Sequence, residues 1–144
     1  FFFFFKNPTF VLQTQSLEIM NKRIKSFICA FRGIWKVLSR ETNMKIDLFI
    51  AIIVVAFGWG LALSATEWIF VIFAIGMVFA AETFNTAIER TCNMIEHRYN
   101  RSIGSIKDIS AGAVLICAIT AAIIGLIIFV PKFIELFFTT EPTL

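Results

Sequence analysis

Three long apolar segments, separated by short polar stretches, dominate the pattern of hydrophobic and polar positions in this chain. They cover residues 48–65, 68–89 and 109–130. Each approaches the roughly 20 residues with which a helix crosses about 30 Å of hydrocarbon. None alternates polar and apolar residues as the strands of a membrane barrel do. The pattern therefore predicts an all-α membrane protein with three transmembrane helices.

Residues 21–40 show a different pattern, with the period of an amphipathic helix. Apolar side chains recur from Ile24 to Leu38 at the i, i+3, i+4 and i+7 spacing of one helix face. Lysine and arginine side chains, beginning with Lys22, occupy the opposite side. Such a helix lies in the headgroup plane of a membrane. We expect an N-terminal surface helix that either only anchors the chain or also covers a site beginning at Glu41.

The two ends of the chain do not share these patterns. Residues 1–19 open with five phenylalanines, contain Pro8 and show no sustained period. We expect them to be a non-native or disordered extension, with Met20 as the true start. The membrane domain would then cover residues 20–134, and residues 135–144 would form a C-terminal tail.

The distribution of charge gives the predicted helices an orientation. Hydrophobic residues make up 58% of the chain and charged residues only 16%, which is too apolar for a soluble domain of this size. Cations precede the first span and occupy residues 90–108, whereas residues 64–67 contain none. The positive-inside rule therefore places the N-terminus and the predicted 90–108 loop in the cytoplasm, with the C-terminus outside. Because the cations flank the spans, we interpret them as membrane-related and expect no nucleic-acid partner.

A polar stripe at the end of the second span is the first candidate site. Glu82 and Glu89 are seven residues apart, which on a helix places them within about 20° of one face and about 10 Å apart along the axis. Asn85 and Thr86 lie on the same stripe. An acid inside a membrane helix is costly, so a functional role is the first hypothesis for Glu82. A hydrogen bond to a neighbouring helix is the alternative.

The remaining charges suggest phosphoryl transfer. Glu41 is expected at the same membrane boundary as Glu89, and Mg²⁺ commonly uses one or two carboxylates together with water and phosphates. Lys107 and Asp108 directly precede the third span, where a lysine could hold phosphate oxygens. The sequence contains no P-loop or glycine-rich kinase loop. The three cysteines and the single histidine lack metal-ligand spacing, which argues against zinc.

Two runs of sequence resemble a known family. ETFNTAIE, which ends at Glu89, and KDISAGAV, which begins at Lys107, resemble the signature of the small bacterial diacylglycerol kinase and undecaprenol kinase family. The similarity covers about residues 21–133. It implies three-span homotrimers in the bacterial cytoplasmic membrane, with sites between subunits at the cytoplasmic face. It also implies transfer of the γ-phosphoryl of ATP, with Mg²⁺, to a lipid hydroxyl.

The resemblance implies a role for individual residues. Glu82 resembles the catalytic base, and Glu41 with Glu89 resembles the metal-binding pair. The residues that it implies for binding of the lipid acceptor are Glu82, Asn85, Ala30 and Trp35. The residues that it implies for binding of the nucleotide are Lys22, Glu41, Glu89, Asn93, Lys107 and Asp108.

The sequence departs from the family pattern at two positions, and the lipid substrate has two candidates. Asn93 stands where the family commonly has Asp, and Asp47 where relatives often have His or Glu, so we expect kinase activity with altered nucleotide affinity. Residues 32–35 and the Glu67-Trp68 pair resemble the undecaprenol kinase branch, which favours undecaprenol over diacylglycerol. The alternative to a kinase is a non-catalytic membrane subunit or a small transporter in which the stripe carries a proton or a cation.

Overall fold

The computed structural model describes residues 8–95 and 100–138, and within them it consists of helices without a strand. The helices are α1 (Pro8–Arg40), α2 (Thr42–Gly60), α3 (Ala65–Ile95) and α4 (Arg101–Phe138). Of these, α2, α3 and α4 are long and apolar enough to cross a membrane. The prediction of an all-α protein with three candidate spans is confirmed.

The chain divides into two compact units, Phe1–Lys36 and Val37–Leu144, and α1 begins in the first. This helix starts at Pro8 rather than at Asn21, so residues 8–19 are helical although their sequence lacks a sustained helical period. The first seven residues lie outside the described part. Large apolar side chains of α1, such as Phe27 and Phe31, are exposed. A position of α1 on the membrane surface stays a prediction.

In the second unit, Glu41 separates α1 from α2. Its backbone is extended, with φ of −89° and ψ of 129°, and its N–H donates to the Val37 carbonyl over 3.0 Å. The residue occupies the N-cap position of α2, but its side chain makes no capping hydrogen bond. The carboxylate is therefore available for contacts outside α2.

A short turn joins α2 to α3, so α2 ends at Gly60, five residues before the end of the predicted span 48–65. The N–H of Leu61 donates to the Phe57 carbonyl, and that of Leu63 donates to Gly58. Ala62 has a φ of 50°, in the left-handed region in which helices commonly end. These bonds end the helix at Gly60 even though the sequence remains apolar.

Ser64 and Glu67 begin α3 with a capping box. The N–H and hydroxyl of Ser64 donate to Glu67 Oε2 over 2.6 and 2.7 Å, and the Glu67 N–H lies 3.4 Å from Ser64 Oγ. Lys132 Nζ of α4 lies 3.3 Å from the same carboxylate oxygen. The start of α3 is thereby connected to the far end of α4.

The predicted loop over residues 90–108 is mostly helical, which corrects that expectation. α3 continues to Ile95, and α4 starts at Arg101, where the Ser102 N–H donates to Asn100 Oδ1 over 2.9 Å as at a helix N-cap. Polar residues end a hydrophobic span but do not end a helix, which can extend beyond the hydrocarbon. Residues 96–99 lie outside the described part.

The last helix also extends beyond the predicted span 109–130, and Pro131 does not end it. α4 continues through this proline to Phe138, so residues 135–138 of the predicted tail are helical, whereas 139–144 lie outside the described part. Beyond the proline, the Phe133 ring contacts Phe57 of α2 edge-on at a centroid distance of 5.6 Å. Membrane helices tolerate proline where neighbouring structure compensates for the lost hydrogen bond.

The three candidate spans run antiparallel, with α3 packed against both α4 and α2. Near the α2–α3 turn, the core consists of Leu63, Val71 and Ile128. A groove of about 320 Å³ lies between the three helices, with small residues such as Ala74 and Gly125 in its lining. The polar side chains that the helices bury lie toward the other end of α3.

Candidate active site

The polar stripe predicted on α3 faces the interior of the bundle. Among the described side chains, the buried polar ones are Glu82, Asn85, Thr86 and Ser110, with exposed fractions of 3, 6, 5 and 7%. The first three belong to the predicted stripe, and Glu89 on the next turn is half-buried. The helical spacing of the stripe thus brings its polar groups to one buried face.

The first turns of α2 lie beside this stripe. The Asn43 side chain and the carboxyl groups of Asp47, Glu89 and Glu41 are close enough to interact electrostatically with the Glu82 carboxyl. Sequence reasoning named these acids but assigned no role to Asn43. The structure brings both proposed metal ligands and the proposed base to one end of the bundle.

Arg90 forms an ion pair with Glu41 that sequence reasoning missed. Arg90 Nη2 lies 2.6 Å from Glu41 Oε1, and the two side chains are 37 and 32% exposed. The sequence placed Arg90 in a loop, but it follows Glu89 on α3 and therefore projects from the same end of the bundle. One carboxylate of the proposed metal pair is thus in contact with a cation of the chain itself.

On α4, Lys107 contacts a second residue of the proposed nucleotide site. Its Nζ donates to Asn93 Oδ1 over 2.7 Å, although 14 residues separate the two in sequence. Lys107 is half-buried, and Asp108 is exposed. The amide of Asn93, at the position where an acid was expected, therefore serves as a neutral acceptor for Lys107.

The residues proposed on α1 belong to the other unit. Lys22, Ala30 and Trp35 are exposed, and their contributions to a site stay predictions.

The available oxygen donors fit a magnesium ion whose coordination shell is completed by phosphates. Within residues 8–95 and 100–138 there is no group of three His, Cys, Asp or Glu side chains able to hold a metal ion. Glu41 and Glu89 would provide the one or two carboxylates that Mg²⁺ commonly takes from a protein, and water and substrate phosphates commonly complete the coordination shell of this ion. The described residues alone therefore do not form a complete metal cage.

Comparison with known proteins identifies the family. Residues 28–129 match the prokaryotic diacylglycerol kinase family. The chain belongs to that family. An undecaprenol kinase of Bacillus subtilis is 39% identical over 113 residues, which are 78% of this chain and 92% of the relative. A diacylglycerol kinase of Synechocystis is 26% identical over 126 residues, which are 87% of this chain and 72% of that protein.

Membership of the prokaryotic diacylglycerol kinase family confirms the prediction of a lipid kinase that uses ATP. It also favours the kinase over a transporter or a non-catalytic subunit. Ser110, which is buried beside Asn85 on the neighbouring helix, was not predicted from the sequence. The signal for it was a hydroxyl three residues after Lys107, at the start of a strongly apolar segment.

Proposed function

We propose that this chain is an undecaprenol kinase that transfers the γ-phosphoryl of ATP to the hydroxyl of undecaprenol, with Mg²⁺ as its metal. The preference for this acceptor rests on the Bacillus subtilis relative, which is 39% identical and bears that name, against 26% for the Synechocystis diacylglycerol kinase. Diacylglycerol is the second candidate acceptor. Both lipids present a hydroxyl at the membrane interface.

The buried carboxyl of Glu82 carries the proposed mechanism. As general base, it accepts the proton of the lipid hydroxyl while the hydroxyl oxygen forms a bond to the γ-phosphorus. The bond from that phosphorus to the bridging oxygen of ATP breaks, and ADP leaves with the electron pair. The Asn43 side chain lies close to the Glu82 carboxyl, and Asn85 lies one turn further along the same buried face. These amides orient the base and the acceptor.

The nucleotide lies toward the ends of α2 and α3 in this proposal. Glu41 and Glu89 would hold Mg²⁺, which would supply positive charge to the phosphates of ATP. Lys107 and Lys22 bind phosphate oxygens, and Asp108 contacts the nucleotide. The contact between Lys107 and Asn93 supports this position because it brings the lysine to the same end of α3 as Glu89.

The proposal extends to the setting of the enzyme. We place it in the bacterial cytoplasmic membrane, with the N-terminus and the active site on the cytoplasmic side, because cations concentrate before α2 and around the α3–α4 connection. Ala30 and Trp35 on α1 would contact the lipid acceptor. The proposed assembly is a homotrimer with sites between neighbouring subunits.

A two-lipid kinase assay tests the function. The full chain, reconstituted in vesicles, receives undecaprenol and diacylglycerol in equal amounts together with radiolabelled ATP and Mg²⁺. We expect label mainly in undecaprenyl phosphate and its loss when EDTA removes the metal. Label mainly in phosphatidic acid would show that the acceptor is wrong. No label in either lipid would refute the kinase proposal.

A further inference from the structure

Ser110 connects the two helices on which the proposed site is built. Its Oγ lies 2.6 Å from Asn85 Oδ1 on α3 and 2.9 Å from the backbone carbonyl oxygen of Lys107 on its own helix. Both Ser110 and Asn85 are buried. The hydroxyl is thus in contact with one residue assigned to the acceptor and with the backbone of one assigned to the nucleotide.

The chemistry of a hydroxyl makes this contact directional. Ser110 has one O–H donor and can accept through its oxygen. The Asn85 atom that lies 2.6 Å from Ser110 Oγ is the amide oxygen, an acceptor, so Ser110 donates to it, and the Lys107 carbonyl oxygen at 2.9 Å is a second acceptor for the same hydrogen. The bond fixes the plane of the Asn85 amide and directs its carbonyl oxygen toward α4.

The surroundings of Ser110 make its contact with Asn85 important for the position of α4 relative to α3. Ser110 lies at the start of the apolar part of α4, and Thr120 is the only other residue with a hydroxyl group between it and Val130, so the buried hydroxyl has few alternative partners on its own helix. The same end of α4 also carries Lys107, whose side chain contacts Asn93 of α3. The position of Lys107 relative to the stripe is therefore determined both by its side chain and, through Ser110, by its backbone.

We propose that Ser110 is a positioning residue of the kinase, which orients Asn85 and keeps the Glu82–Asn85 face in register with Lys107. This inference rests on the proposed function, because it uses the roles assigned there to Asn85 and Lys107. Reacting atoms must approach to about 3–3.5 Å, and a displacement of about 1 Å can reduce the rate about 100-fold. A residue that connects the acceptor side to the nucleotide side therefore acts on kcat without touching either substrate.

A matched pair of substitutions on α4 tests the proposal in the reconstituted full chain. We expect Ser110→Ala to lower kcat by about 10-fold to 100-fold, with a much smaller change in the KM for ATP. Thr120→Ala is the control, because the Thr120 hydroxyl donates to the Ile116 carbonyl over 2.8 Å in the same helix but is exposed. We expect it to leave kcat unchanged. An unchanged kcat in Ser110→Ala would overturn the proposal.

Two further variants separate positioning from a purely structural role. Ser110→Thr retains the hydroxyl, so it should restore most of the lost kcat. Adding Ser110→Ala to Asn85→Ala should reduce the residual rate less than two-fold, since a residue that acts through Asn85 has nothing left to orient. A full multiplicative loss in the double variant would overturn the proposal. If the alanine variant does not fold, Ser110→Cys, which has nearly the same shape but a weak donor, takes its place with the same expected loss.

The wild-type chain separates this proposal from the function on which it depends. If wild type phosphorylates neither lipid, the proposed function fails and the inference fails with it. The other case is that wild type is active, that Asn85→Ala is impaired and that Ser110→Ala is not impaired. In that case, only the role of Ser110 is refuted.

Discussion

At the scale of single residues, Glu82 combines deep burial with acidic neighbours. Its side chain is 3% exposed, and the groups that act on it include the Asn43 amide and the carboxylates of Asp47 and Glu89. An acid serving only as a hydrogen-bond partner could be replaced by an amide of the same size with little effect on catalysis. An acid that accepts a proton could not.

Replacing Glu82 by glutamine distinguishes these roles. We expect Glu82→Gln to lower kcat by about 100-fold to 10,000-fold, which is the range that general-base catalysis contributes, while the chain stays folded. Lipid phosphorylation measures the rate, and circular dichroism measures the helix content. Glu67→Gln, the same change at the opposite end of α3, should retain kcat. Full activity in Glu82→Gln would remove Glu82 from the role of base.

The Arg90–Glu41 pair predicts an effect on metal binding. Because Arg90 lies 2.6 Å from one Glu41 oxygen, it competes with a cation for that carboxylate. We expect Arg90→Ala to tighten binding of Mn²⁺, used in place of Mg²⁺, by about two-fold to five-fold, since partly exposed ion pairs contribute up to about 1 kcal/mol. Electron paramagnetic resonance of free Mn²⁺ measures this without turnover.

Arg101→Ala provides the charge-matched control for this measurement. It removes a cation from the start of α4, at the same end of the bundle, where its side chain is exposed. Equal affinities in the two variants would show that general electrostatics, and not release of Glu41, determines metal binding.

The sequence predicted much of the candidate site but not its cross-helix contacts. Glu82, Asn85 and Thr86 could be placed on one face because helical spacing is a local property. The bonds from Arg90 to Glu41 and from Ser110 to Asn85 join residues 49 and 25 positions apart. Their formation depends on which faces of two helices meet, and neither periodicity nor composition determines that.

At the scale of helices, Gly58 shows what the α2–α3 turn requires. A Cβ atom at Gly58 would lie 2.9 Å from Trp68 Cη2, whereas a Cβ at Gly60 would meet nothing within 4 Å. The ring of Trp68 therefore packs directly on the backbone of α2. The absence of a side chain at Gly58 allows the two helices to approach closely.

These two glycines give a matched prediction for stability. Gly58→Ala should lower the free energy of unfolding by about 1–3 kcal/mol, because the added methyl group must displace an indole. Gly60→Ala should be neutral or stabilising by up to about 1 kcal/mol, because alanine is the better helix former. Thermal unfolding of both variants in the same detergent measures the difference. Equal melting temperatures would contradict the close packing at Gly58.

The ends of the helices were harder to predict than the helices themselves. Hydropathy gives the stretch that can lie in hydrocarbon, but α3 continues beyond it to Ile95 and α4 continues beyond Pro131. The beginnings of α3 and α4 depend on local side-chain bonds made by Ser64, Glu67 and Asn100. The S-x-x-E spacing of Ser64 and Glu67 is itself a sequence signal for a helix start, but hydropathy and periodicity do not include it.

At the scale of the whole molecule, the distribution of cations predicts the orientation in the membrane. The α3–α4 connection should face the cytoplasm and the α2–α3 turn should face outward. Thr66 near the turn and Ser105 near the connection are both exposed hydroxyl residues, which makes them suitable sites for cysteine labelling.

The labelling experiment uses a chain in which Cys29, Cys92 and Cys117 are replaced by alanine. In right-side-out vesicles of the cytoplasmic membrane, a membrane-impermeant maleimide should label Thr66→Cys. It should label Ser105→Cys only after permeabilisation. The reverse pattern would invert the proposed orientation and place the candidate active site outside.

The contacts of α4 at both of its ends have a mechanical consequence. Near its start, Ser110 and Lys107 bond to α3, and near its other end Lys132 pairs with Glu67. Between these points, α4 faces a groove lined mainly by apolar residues such as Ala74 and Ile124. Sliding of α4 along α3 by one turn, about 5.4 Å, would therefore break the contacts at both of its ends at once.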